Sequence, residues 1–208
     1  MSYSEFTLEG ACRAFSLDPN DTEDLFSGVS GVAVSPFLRT ILDEFAPLAT
    51  TIHTEKARSE FIVAPILGEV RRLMDHRISL FSGIDFNVDV SQGLSGVCDF
   101  ILADSPIQSF LNAPVMTVVE AKKDDIKAGL GQCVAEMVAA RIFNEREREG
   151  ARIIHGAVTT GSVWRFLKLT GGTVFIARPE NYLDRVDKVL GILLACVEGD
   201  AGTAGAAA

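Results

Sequence analysis

Residues 115–119, Val-Met-Thr-Val-Val, form an apolar run that ends abruptly at Glu120-Ala121-Lys122. Such a run lacks the in–out alternation of a strand with one wet face, so it reads as a strand covered on both sides. Gly96-Val97-Cys98-Asp99-Phe100-Ile101-Leu102 has the same character with an acid inside it. A chain with strands of this kind needs helices on both faces of its sheet, which predicts an α/β fold with a central mixed β-sheet flanked by helices. Each acid lies within or at the end of a buried strand, and an ionised carboxylate buried without a partner is costly. Asp99 and Glu120 therefore need company.

The rest of the chain supplies the flanking elements. A short helix is predicted over 6–15, and turns at Asp18-Pro19-Asn20-Asp21 and at Gly28 to Gly31. Phe37, Leu38, Ile41, Leu42 and Phe45 recur at helical spacing within 36–49. A second helix is expected over 54–74, with Thr54 as N-cap and a bend at Pro65. Residues 78–90 read as two short strands or a hairpin bending near Gly83, followed by strands over 95–103 and 115–122. A long helix is predicted over 126–147, strands over 153–160, 163–169 and 173–177, and a last apolar helix over 182–197. The organisation is a single α/β domain over 54–198, a helical N-terminal extension over 1–53 and a disordered tail over 199–208.

No apolar run is long enough to span a bilayer, and Met1 to Glu5 is not followed by the apolar stretch of a secretory signal. The four cysteines are scattered without a CxxC pair, so a zinc site and a disulfide framework are not expected; reduced thiols in a cytoplasmic protein are. The formal charge of −9 opposes a general polyanion-binding surface. Basic groups are local: Arg71-Arg72, Lys122, Lys123, Lys127, Arg165 and Lys168.

Strand geometry gives the acidic sites their chemistry. Residues i and i+2 share a face, so the Glu120 carboxylate and the Lys122 amine project together. Asp99 on a neighbouring strand adds a second hard oxygen donor suited to Mg²⁺ or Mn²⁺. Such an ion lowers the pKa of a bound water and polarises a phosphate, while an adjacent ammonium orients the water or stabilises charge on phosphorus. Without a cation, the same three side chains would form a buried salt-bridge cluster.

Asp99, then Glu120-Ala121-Lys122, on strands after one helix and before another, resembles the PD-(D/E)XK, or restriction-endonuclease-like, nuclease superfamily. The resemblance covers roughly 54–177. Gly96-x-x-Asp99-Phe100 looks like the superfamily's second strand, and Gln132 lies in the following helix, where several branches carry a glutamine. Thr159-Thr160-Gly161-x-x-Trp164-x-Phe166 is similar to the hairpin after the site in nuclease domains of type I restriction enzymes. The resemblance implies a restriction-endonuclease-like core and a metal-dependent hydrolase of DNA phosphodiesters. Asp99 and Glu120 would be metal ligands and Lys122 the catalytic lysine, with Gln132 nearby and Mg²⁺ or Mn²⁺ as cofactor. Many members take a further ligand from the first helix, and Glu60 and Glu69 are the two candidates; their nine-residue separation puts them on nearly opposite faces. The chain departs from the family name's proline, with Cys98 before Asp99, and from the QxxxY pattern, with Glu136 at the aromatic position. A homodimer is implied as well, the 182–197 helix serving as its interface. The alternative is a catalytically inactive binding or regulatory protein of the same fold.

Overall fold

The computed structural model describes residues 2–150 and 152–199. The tail expected over 199–208 lies outside the described residues except for Gly199.

Among the described residues the sheet has eight strands: β1 (Asp18–Asn20), β2 (Ser79–Asp85), β3 (Val97–Ala103), β4 (Val115–Ala121), β5 (Ile154–Thr159), β6 (Val163–Thr170), β7 (Thr173–Ile176) and β8 (Asn181–Tyr182). Their order is β1-β7-β6-β5-β4-β3-β2, with β8 against β6. β2, β3 and β4 form an antiparallel meander, β5 runs parallel to β4, and β1 runs parallel to β7. The sheet is mixed, as expected.

Helices cover both faces. On one lie α1 (Leu8–Ala14) and α5 (Ile126–Arg146), packed with Tyr3 and Phe6 against Ile101, Val118 and Val158. On the other lie α2 (Pro36–Ile52), α4 (Ala64–Leu73) and α6 (Val186–Glu198), packed against Phe100, Leu102, Val119 and Phe166. Helix α5 is buried on all sides from Gly129 to Ala140 because the sheet lies on one flank and the N-terminal segment on the other. Gly131 permits that approach: a Cβ there would collide with the backbone of Phe6 and Thr7.

Several expectations need correction. The N-terminal 1–53 segment is not only helical, since it adds β1 to the sheet and Tyr3 and Phe6 to the core. The turn expected at Asp18-Pro19-Asn20 is that edge strand, where proline's missing N–H is tolerated. Thr54 does cap a helix, accepting the Ala57 N–H, but this α3 (Glu55–Arg58) passes through a π-helical turn, Ser59–Val63, before α4. The widened turn directly precedes Pro65, which has no N–H to give. Residues 79–85 form one strand rather than a hairpin. Helix α6 turns Val189, Leu190, Ile192, Leu193 and Cys196 into the chain's own core, so its apolar face is not available as a dimer interface.

Candidate active site

The sheet alternation breaks at Asp99. Ile101 and Ala103 face the α5 layer and Phe100 and Leu102 face the α4 layer, yet Cys98 also faces the α5 layer. Opposite this break, between paired Ser82 and Ile84, Gly83 takes a φ of +61°, in the left-handed region that glycine adopts without penalty. The β3–β4 ladder ends at Phe100 and Val119, and just beyond it the Asp99 carboxylate accepts the Ala121 N–H at 2.8 Å. A side chain thus takes over a backbone acceptor's role, and Asp99 is held against the strand that carries Glu120.

Glu120, 1% exposed, pairs with Val158 across β5 and faces α5. Lys122, just past the strand end, shares its face: Lys122 Nζ donates to Glu120 Oε1 at 2.5 Å. It also donates to Gln132 Oε1 at 3.1 Å, and Gln132 Nε2 donates to Glu136 Oε1 at 3.1 Å. Gln132 and Glu136 lie one turn apart on α5 and so face the sheet together. Gly129 makes room for the lysine stem, since a Cβ would lie 3.0 Å from Lys122 Cγ and 2.6 Å from Val158 Cγ1.

The structure therefore brings Asp99, Glu120, Lys122 and Gln132 together, and it leaves Glu60 and Glu69 out. Glu60 is exposed and pairs with Lys56 at 2.7 Å. Glu69 is buried and bound elsewhere, to Arg72 at 2.8 Å and to the Ser35 N–H at 3.3 Å, and these bonds hold its carboxyl below the usual range. The first-helix acid near the site is Glu55, directly after the Thr54 cap; its charge acts on Asp99, Glu120 and Lys122 alike. Glu136 is the other acid that sequence reasoning missed. Its position four residues after Gln132 was the available signal.

Burial dominates the electrostatics. It pushes the Glu120 carboxyl up to about 8, with Asp99 and Glu55 adding to the rise and Lys122 opposing it. It raises Asp99 as well, against the Ala121 N–H. Glu136, fully buried, is raised by burial and then by Glu120. Burial lowers the Lys122 ammonium, but the Glu120 carboxylate outweighs it and the net direction is up.

One oxygen of Glu120 and one of Glu136, both Oε2, are buried with no hydrogen-bond partner among the described residues. A buried acceptor left unpaired costs about 1–3 kcal/mol, and more if it is charged. The donors are carboxylate oxygens, which fit a hard dication. Among the described residues, however, no group of three or more His, Cys, Asp or Glu side chains is arranged to hold a metal ion, and the Lys122 ammonium stands against Glu120.

The hairpin residue Trp164 is fully buried, its indole N–H bonded to the Gly161 carbonyl, and serves packing. Asp125 caps α5 through the Lys127 N–H, and Cys12, Cys98, Cys133 and Cys196 are buried free thiols. No helix among the described residues is long and apolar enough to cross a membrane. Compared with protein-family models, curated proteins and solved structures, the chain matches none.

Proposed function

We propose that this protein is a Mg²⁺- or Mn²⁺-dependent nuclease that hydrolyses DNA phosphodiester bonds, with its site at the ends of β3 and β4. The observation that carries the reading is the grouping of Glu120 with Lys122 beside Asp99, with one Glu120 oxygen buried and unpaired. Both acids lie on strands after α4 and before α5, the order the superfamily resemblance requires. Asp99 and Glu120 would hold the cation, with Glu55 nearest from the first helical segment. A bound dication supplies a water of lowered pKa and polarises the phosphate.

The chain's own residues do the rest. The Ala121 N–H fixes the Asp99 carboxylate. Gln132, oriented by Glu136, accepts one hydrogen of the Lys122 ammonium and limits where its other hydrogens point. Lys122 then donates to the attacking water or to the phosphoryl oxygen that gains charge. The buried free thiols agree with a reducing, cytoplasmic setting.

A second reading is a nuclease-fold binding or regulatory protein without turnover. The net charge of −9 and the closed Lys122–Glu120 pair favour it. Incubation with supercoiled plasmid and with single-stranded DNA in Mg²⁺ or Mn²⁺ separates the two. Cleavage by wild type and none by Lys122→Ala supports the nuclease. Equal nicking by both proteins, or none by either, rejects it.

A further inference from the structure

Arg58 ends α3 and is buried, 7% exposed, yet no acid pairs with it among the described residues. Its partners are neutral groups. Nη1 donates to the Thr160 carbonyl at 2.9 Å and to Ser162 Oγ at 3.3 Å, and Nη2 donates to His53 Nδ1 at 3.4 Å. Nε is buried with no partner among the described residues. A buried charge without an opposite charge is costly, and an apolar side chain of similar volume would avoid that cost. What a guanidinium offers instead is several donors in one rigid fork, able to hold several chain segments at once.

The segments it holds border the candidate site. Thr160 and Ser162 belong to the turn between β5 and β6, and Thr159, just before them, accepts the Lys122 N–H at 2.7 Å. His53 closes α2. A guanidinium only donates, so His53 Nδ1 is the acceptor and Nε2 carries the hydrogen. That Nε2 lies 3.4 Å from Asp124 Oδ1, in the loop that follows Lys122 and Lys123. Arg58 thus ties α3 to the end of α2, to the β5–β6 turn and, through His53, to the loop between β4 and α5.

Helix α3 depends on those ties. It has four residues, too few to be stable alone, and its buried residues are Ala57 and Arg58. Its main contacts are with α2 and the π-helical turn rather than with the sheet. That turn, beginning at Ser59, inserts a wider loop of helix before α4, so α3 and α4 do not share one regular face. Yet α3 carries Glu55, the acid whose charge acts on Asp99, Glu120 and Lys122.

We propose that Arg58 is a positioning residue: by docking α3 on the strand ends it sets where Glu55 stands relative to Asp99 and Glu120. The inference rests on the nuclease reading for its metal chemistry.

The test is a double-mutant cycle read by Mn²⁺ calorimetry, with hydrogen exchange on the metal-free protein. Arg58→Met keeps an apolar stem and removes every donor. It should weaken Mn²⁺ binding by about tenfold, the loss typical when a group that orients a ligand is removed. In a Glu55→Ala background the same substitution should cost nothing further, because residues acting through one carboxylate are not additive. Amides 55–58 should exchange faster in Arg58→Met, with those of α4 and β4 unchanged. Circular dichroism checks folding. If Arg58→Met does not fold, Arg58→Lys, which keeps the charge and a single donor group, replaces it and should show the same losses in smaller measure. Wild-type Mn²⁺ affinity in the Arg58 variant, or an equal loss with and without Glu55, overturns the proposal and leaves the nuclease reading standing. Unchanged exchange at 55–58 overturns it as well. A wild type that binds no Mn²⁺ is a different failure: it removes the nuclease reading and this proposal with it.

Discussion

The Asp99 carboxylate accepts the Ala121 N–H at 2.8 Å, where the β3–β4 ladder has run out of backbone partners. One side chain therefore closes the end of the β3–β4 ladder and stands beside Glu120. The two roles separate by substitution. Asp99→Asn retains a carbonyl acceptor and should keep its melting temperature within a few degrees while losing Mn²⁺ binding in calorimetry. Asp99→Ala leaves the N–H without its partner and should in addition lose about 1–3 kcal/mol in urea unfolding.

Lys122 competes for the same carboxylate that would hold a cation. Lys122→Met is expected to reduce plasmid cleavage by about 10²–10³-fold, the cost typical of removing one stabilising donor. Mn²⁺ affinity in the same variant should be unchanged or tighter, because the ammonium no longer occupies Glu120 Oε1. Loss of both cleavage and Mn²⁺ binding would assign the lysine a structural role instead.

Glu120 binds its proton more tightly in the folded state than in the unfolded chain, since its folded value is raised to about 8 from the ordinary carboxylate range. Between roughly pH 4.5 and 8 the native state holds more protons, so stability is greatest below this window and falls as pH rises through it. The melting temperature without metal should drop between pH 5.5 and 8.5. Added Mn²⁺ should restore it, and by more at pH 8 than at pH 5.5, because only the ionised carboxylates bind the ion. A melting temperature that rises across this window in metal-free buffer contradicts the assignment.

Three glutamates of the helical segment before the meander have separable fates. Glu60→Ala should change neither Mn²⁺ binding nor stability beyond about 0.5 kcal/mol, as befits an exposed pair with Lys56. Glu69→Ala should destabilise by about 1–3 kcal/mol through the lost Arg72 and Ser35 bonds, with Mn²⁺ affinity intact. Glu55→Ala should weaken Mn²⁺ binding without loss of stability. Calorimetry and urea unfolding of the three variants read both quantities.

Gly129→Ala tests the room made for the lysine. The added methyl meets Val158 and the Lys122 stem, so a loss of about 1–3 kcal/mol is expected from overpacking. Cleavage should fall more than the unfolded fraction explains, because Lys122 must leave its position between Glu120 and Gln132.

Much of this was readable along the chain. The largely apolar strands expected at 95–103 and 115–122 required a sheet covered on both faces, and the i, i+2 spacing of Glu120 and Lys122 required one shared face. The glycines at 129 and 131 were not readable as packing glycines, because nothing local says which backbone or side chain will approach them. The choice among helix acids was equally hidden. Glu60 and Glu69 were the two candidates that the resemblance offered on the expected 54–74 helix, but a π-helical turn at 59–63 interrupts that helix, and the site lies near its start at Glu55.

Local geometry, which the chain carries in its own order of residues, was enough to determine the α/β class, the two acid-bearing strands and the pairing of Glu120 with Lys122. Only the packed structure decided that Asp99 reaches across the end of the β3–β4 ladder to Ala121, that Gln132 and Glu136 come down from α5 to meet Lys122, and that α6 faces inward while one stripe of α2 faces out. Neighbours in a strand are set by a fixed two-residue repeat; neighbours across layers are set by how whole elements fill space, and no spacing along the chain encodes that.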